Sequence, residues 1–315
     1  MDTLEKVLSR SIFITRHGSH AYGTNIATSD LDFKGVCIPT KEYFLGSMKK
    51  FEQLERQVNR GAPYDTTIMS LQKFVNLASD CNPNIIEILH VADDDIFFIN
   101  EFGEELRAMK DMFISTKARF TFSGYAHSQL RRIKTHRLWL LNPPKEKPER
   151  RLFGLSETSK VSKSELGAFD ALMAEGKEIE MTHEILALFL REKQYAAAKE
   201  NWDKYERWKT TRNEARSALE AKFGYDTKHA MHLIRLIRMC REILRDGKVL
   251  VRRPDAEELL AIRRGEWTYD QVVDHAEALE LECGELYKTS KLPREANRLA
   301  IDDIVVSMTE RYLRL

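Results

Sequence analysis

Long apolar runs are missing from this 315-residue chain, and none approaches the roughly 18 residues that a membrane-spanning helix needs. The opening, Met1-Asp2-Thr3-Leu4-Glu5-Lys6, lacks the basic-then-apolar order of a secretory signal, so a soluble, cytoplasmic protein is expected. Cysteine is scarce. Cys37, Cys81, Cys240 and Cys283 stand far apart, with no CxxC pair and no His at zinc-finger distance, which argues against a zinc knuckle and a disulfide framework. Nor does charge of one sign dominate: 50 Lys and Arg face 49 Asp and Glu, which excludes a uniformly basic nucleic-acid coat. Internal repeats and low-complexity tracts are also absent. With 43% hydrophobic residues the chain can bury a substantial core, and its length favours two domains.

The charge that cancels overall is segregated along the chain. Seven acids and no Lys or Arg lie between Glu87 and Glu105, whereas Arg131–Arg151 and Lys228–Arg253 each hold eight bases against two acids. Phosphate-rich partners therefore stay in play. The first hundred residues mix strand and helix signals. Ser11–Arg16 reads as a strand ending at Gly18, Leu31–Ile38 as a second stopped by Pro39, and Asp65–Met69 as a third. Ser70 is a candidate N-cap for a helix with Leu71, Phe74, Leu77 and Ala78 on one face, and Asn82-Pro83-Asn84 starts another through Leu89. Beyond about residue 105 strand signals nearly vanish. A charged, Pro- and Ser-rich connector occupies about 142–165, long charged helix follows to about 222, and Thr227–Arg245 is amphipathic. The pattern predicts an α+β chain: a domain at 1–115 with a small mixed sheet, then a helical domain at 116–315.

Gly18-Ser19, followed ten residues on by Asp30-Leu31-Asp32, carries the most chemistry. Carboxylates at i and i+2 of a strand share a face with Cα atoms about 6.6 Å apart, a spacing suited to oxygen ligands of divalent cations. Without a cation, the same spacing crowds like charges. Two such ions can hold the attacking and leaving oxygens of an in-line phosphoryl displacement. Gly18 has no side chain to obstruct a phosphate approaching backbone N–H groups, and Ser19 opens a short helix. Taken alone, Asp-x-Asp is common on ordinary surface strands.

The full runs Arg16-His17-Gly18-Ser19-His20-Ala21-Tyr22-Gly23-Thr24 and Ser29-Asp30-Leu31-Asp32-Phe33-Lys34-Gly35 resemble the GS…DxD signature of the DNA polymerase β superfamily of nucleotidyltransferases. The His-Ala-Tyr-Gly-Thr and Ser-Asp-x-Asp-x-Lys-Gly variants are most similar to its RNA-ligase-associated branch of bacteria and large phages. Asn82–Leu89, Gly124–Leu130, Gly224–Ala230 and Ile262–Trp267 extend the resemblance over most of the chain. It implies a polymerase-β-like catalytic domain in which Gly18 and Ser19 hold the triphosphate and Asp30 and Asp32 bind Mg²⁺, with Mn²⁺ an alternative. It also implies a third carboxylate on a neighbouring strand, for metal binding and for activating the acceptor. Asp65 is the candidate, its plainer reading being a turn residue.

The resemblance further implies a helical domain that closes over the nucleotide. Lys228, His232 and Arg235 fall within one sector of their helix and are the candidate nucleotide contacts; a solvated face paired with Glu242 and Asp246 is the competing reading. Arg131, Arg132, Lys134 and Arg137 are weaker candidates for guiding a nucleic-acid backbone. Glu87 is expected on an exposed helix face, a buried partner for a base being the alternative, His17 and His20 in structural hydrogen bonds, and Trp202, Tyr205 and Trp208 in packing. The implied activity is Mg²⁺-dependent transfer of NMP from an NTP to an acceptor hydroxyl, an RNA 3′ end in repair or processing. A protein or small-molecule hydroxyl, or a non-catalytic nucleotide or RNA sensor, are the alternatives. No membrane partner is expected.

Overall fold

The β-branched and aromatic run Ser11–His17 forms β1 in a computed structural model of the chain, which describes residues 3–58, 64–174, 182–212 and 214–314. Helix α1, Leu4–Leu8, precedes it, and the single-turn α2, Gly18–Tyr22, follows without a linker. Next come β2, Leu31–Cys37, which stops short of Pro39, then α3, Glu42–Leu45, β3, Gln53–Val58, and β4, Tyr64–Ser70. Ser70 both ends β4 and caps α4, Leu71–Ser79, by accepting the Lys73 N–H at 3.3 Å. Asn82 caps α5, Pro83–Leu89, whose first turn tolerates Pro because that N–H has no helical partner to lose. Strand β5, Ile96–Ile99, and helix α6, Glu101–Ala108, complete the first hundred or so residues.

The strands form one mixed sheet in the order β3-β4-β2-β1-β5, with β2 and β4 parallel and the other neighbours antiparallel. The expected α+β class is thus borne out, and β3 and β5 are strands that the sequence reading did not mark. Register decides what each face carries. His17 pairs with Asp32, Thr15 with Lys34, and Asp32 in turn with Asp65, so these side chains share one face. The opposite face takes Ile14, Phe33, Cys37 and Ile68, which pack with Val7 and Leu54 in an apolar cluster. That side of the sheet is apolar, and the other is apolar at Phe13 and Val36 and turns polar toward the end of β1 and the start of β2.

Among the described residues no strand follows Ile99. The helices are α7, Ala118–Leu141, α8, Lys163–Ala174, α9, His183–Thr211, α10, Glu214–Phe223, α11, Thr227–Asp246, α12, Ala256–Arg263, α13, Tyr269–Thr289, and α14, Arg298–Leu313. None of them is long and apolar enough to cross a membrane. By packing, the chain divides into one unit of residues 1–133 with 227–315 and a second of residues 134–226. The sheet thus shares a unit with α11 to α14.

The second unit is held by aromatic and ionic contacts of its own. Trp139 lies 5.4 Å from Trp208 and 5.9 Å from Tyr205, centroid to centroid, and its indole N–H donates to Asn201. Within the stretch read as a connector, Arg150 forms two hydrogen bonds to the buried Glu192, at 2.9 and 2.6 Å. Ser70→Ala should remove the α4 cap and destabilise the first unit by about 1 kcal/mol, read as a lower urea midpoint at unchanged slope.

Candidate active site

Where β1 ends, the chain turns through Gly18 at φ +68°, a left-handed conformation that only glycine adopts without strain. The close approach is as demanding as the angle, because a Cβ at this position would run into the Asp32 carboxylate. Gly18 is thus the residue that lets the turn lie directly on the acid. Gly23, also left-handed, closes the short helix, and Thr24 N–H returns to the Ser19 carbonyl at 2.9 Å.

Asp32 stands at the centre of the acidic group. Asp30, just before β2 begins, lines the same cavity as Asp32, and parallel pairing sets Asp65 beside Asp32 on β4. Burial lifts the Asp32 carboxyl above its ordinary range, and the neighbouring Asp65 and Asp30 charges add to the effect, against Lys34 and Lys228. Lys34, two residues along β2, is held below the usual lysine range by burial, with Glu87 and Asp32 opposing. Asp65 is exposed, and its Oδ2 receives the Gln57 side-chain amide at 3.5 Å.

A cavity of about 260 Å³ opens at this point. Its acid side is Asp30 and Asp32, its turn side Gly18, Ser19 and Ser29, and its basic side Lys34, Lys228, His232 and Arg263. Five of the sequence-predicted residues are therefore brought together: Gly18, Ser19, Asp30, Asp32 and Lys228, with His232 as a sixth. Asp65 flanks Asp32 without lining the cavity. Arg235 is a correction. It is 4% exposed and bound to Glu87 at 2.5 Å, so it faces the interior and not the cavity. Glu87 is the matching correction: it is fully buried and not on an exposed face, and its alternative reading as a buried partner for a base is the one the structure shows. Of the partners in the competing reading, Glu242 binds Arg253 through two hydrogen bonds and Asp246 binds Arg245.

Arg263, like Lys34, is a cavity residue that the sequence reading did not name as a site. Its guanidinium is steadied by the Thr24 carbonyl at 3.4 Å, and its backbone carbonyl accepts the Thr227 hydroxyl at 2.9 Å, next to Lys228. The available signal was its place in the Ile262–Trp267 run. Of the basic residues on α7, Arg131 and Arg132 are exposed in the first unit and Lys134 and Arg137 belong to the second, where Arg137 donates to the Gly224 carbonyl at 3.1 Å.

The donor set suits a hard divalent cation, since Asp30, Asp32 and Asp65 offer only carboxylate oxygens. Among the described residues no three His, Cys, Asp or Glu side chains already close around a single ion position. Asp30 and Asp32 at the cavity, with Asp65 alongside, are the residues that would hold one. The sheet end thus gathers acids, a glycine turn and basic side chains around one cavity. Residues 3–140 match the family described as the RNA repair pathway DNA polymerase beta family (RlaP), which bears out the sequence resemblance over the sheet and the first helices.

An uncharacterized 38.9 kDa protein from the nrdC-mobD intergenic region of Enterobacteria phage T4 is 28% identical over 124 residues, 36% of this chain. The match spans 35% of the phage protein's length. A crystal structure of a nucleotidyltransferase-like protein from Exiguobacterium sibiricum 255-15 covers 90% of this chain and 85% of its own at 11% identity and a TM-score of 0.26, a likeness too loose to carry argument.

Two outcomes follow from the geometry. Gly18→Ala should lower the melting temperature, because left-handed backbone at a non-glycine residue costs about 1–2 kcal/mol before the clash with Asp32 is counted. Asp32→Asn should raise it at pH 7. A carboxyl whose folded-state pKa is raised opposes folding once ionised, so the gap between variant and wild type should close as pH falls from the raised value toward the ordinary range near ~3.9. Melting curves in metal-free buffer across pH 4 to 8 check both.

Proposed function

We propose that the protein transfers a nucleoside monophosphate from a nucleoside triphosphate to an acceptor hydroxyl, releasing pyrophosphate, and that the acceptor is the 3′ end of an RNA. The observation that carries this reading is the two-sided cavity, with Asp30 and Asp32 on one wall and Lys228, His232 and Arg263 on the other. The matched family's description as an RNA repair pathway family supports the choice of acceptor.

The reaction joins the acceptor oxygen to the α-phosphorus and breaks the bond from that phosphorus to the bridging oxygen of pyrophosphate. Gly18 and Ser19 give the phosphates a surface without a side-chain obstruction at its first residue. Lys228 and Arg263 balance the charge of the β- and γ-phosphates that leave together, and His232 donates to a phosphate oxygen. A Mg²⁺ ion held by Asp30 and Asp32, with Mn²⁺ able to substitute, would supply Lewis-acid stabilisation of the phosphoryl oxygens. Asp65, exposed beside Asp32, receives the acceptor's proton on its carboxylate as the hydroxyl approaches from outside the cavity. Orientation by these groups accounts for much of the rate in such a displacement, because the transition state requires attacking and leaving oxygens in line.

Incubating the chain with labelled NTPs, Mg²⁺ and a panel of RNAs should give end-labelled RNA, with Asp32→Asn reducing labelling at least a hundredfold. Labelling that persists in Asp32→Asn rejects the acid site. Lys228→Ala and Arg263→Ala should each raise the KM for NTP about tenfold, the size expected for one charge-assisted phosphate contact of about 1.5–3 kcal/mol. Acceptor affinity should fall steeply between ~50 and 200 mM salt if the acceptor is RNA. A flat dependence would move the acceptor to a small molecule or a protein.

A further inference from the structure

Against the cavity, which His17 and Tyr22 help to line, lies a buried polar node that the proposed chemistry does not use. Glu87, with no exposed surface, accepts the Tyr22 hydroxyl at 2.5 Å on one oxygen and Arg235 at 2.5 Å on the other. The Arg235 guanidinium also lies 3.8 Å from the centre of the Tyr22 ring, and His17 Nε2 is 3.4 Å from the Tyr22 hydroxyl. Each member sits on an element that also forms a wall of the cavity. His17 and Tyr22 bracket Gly18 and Ser19; Glu87 is one turn beyond Asn84 on α5; Arg235 is one turn beyond His232 and two beyond Lys228 on α11.

We infer that Glu87 is a positioning residue for nucleotide transfer: one buried carboxylate fastens the phosphate turn, α5 and the cation-bearing helix to each other and so sets the spacing of the cavity walls. The inference rests on the nucleotidyl-transfer reading of the cavity. Stability alone does not account for the node. A buried ion pair is commonly matched or exceeded in stability by apolar residues of similar volume. This node is also incompletely satisfied, since His17 Nδ1 and Arg235 Nε are buried without a partner among the described residues.

The node is electrically quiet as well. Burial holds His17 well below the ordinary histidine range and Tyr22 well above the ordinary tyrosine range, so both stay neutral while Glu87 and Arg235 cancel. Glu87 and Arg235 act on Lys34 in opposite directions, and what the node contributes beyond that is geometry.

The test replaces both charges together, as Glu87→Leu/Arg235→Met, so that neither is left buried alone. Melting temperature, amide hydrogen exchange at residues 18–23 and 228–232, and kcat/KM for labelled NTP and RNA are measured beside wild type. The expected result is a melting temperature at or above wild type, about tenfold faster exchange in both segments, and kcat/KM lower by tenfold or more. A folded double variant with exchange within twofold and kcat/KM within threefold of wild type overturns the inference. Should the double variant not fold, Tyr22→Phe removes only the hydroxyl; faster exchange at 18–23 with a lower kcat/KM supports the inference, and wild-type values of both overturn it. If wild type itself transfers nothing, the transfer reading fails, and exchange alone decides whether Glu87 fastens the walls.

Discussion

Everything at this site depends on Asp32 being half-buried among like charges. A carboxylate on an interior strand, with Asp65 beside it, Asp30 two residues before it and the Gly18 turn lying on it, is unfavourable for an empty protein. The rest of the local structure accommodates that charge and does not remove it. Gly18 gives up a side chain to avoid the Asp32 oxygen, and Lys34 and Lys228 lower the acid's pKa only in part. A fold under selection for stability alone has simpler choices for this position, such as an amide or an apolar residue. The tension that is retained is electrostatic, and a cation at the proposed site would relieve it.

The two signs of charge reach the cavity by different routes, and this shapes how it is built. The acids come from the sheet, where register fixes them to neighbouring strands within the first 65 residues. The bases come largely from near the start of α11 and the end of α12, about two hundred residues later. Sheet pairing holds side chains tightly; helix ends are aimed only by what packs behind them. The Glu87 node is placed where that aim is decided, because it ties α11 to α2 and α5 one turn behind the cavity-facing residues.

Much of this was legible in the sequence because it is local. The strand–glycine turn–acidic strand order lies within about twenty residues, and its strands, caps and shared acidic face follow from alternation and capping rules. What was not legible is non-local or lacks a pattern. β3, Gln-Leu-Glu-Arg-Gln-Val, is an edge strand with charged outward residues, and β5 is only four residues long, so neither shows a strong alternating signal. Glu87 reads as an interruption in an apolar helix until Arg235, 148 residues away, is seen to meet it. Arg235 shares a helical sector with Lys228, yet periodicity gives direction around the axis and not depth, so it cannot tell a cavity wall from the layer behind it.

That difference in depth matters for how the cations divide their work. Lys228 and Arg263 sit where a phosphate can replace some of their water, whereas Arg235 has already exchanged all of its water for Glu87 and the Tyr22 ring. A cation that is fully paired and buried gains little from an incoming anion, because binding would first have to break a desolvated ion pair. Lys228 and Arg235, in one sector of α11, thus differ in depth: the half-exposed lysine lines the cavity, and the buried arginine ties the helix to α2 and α5.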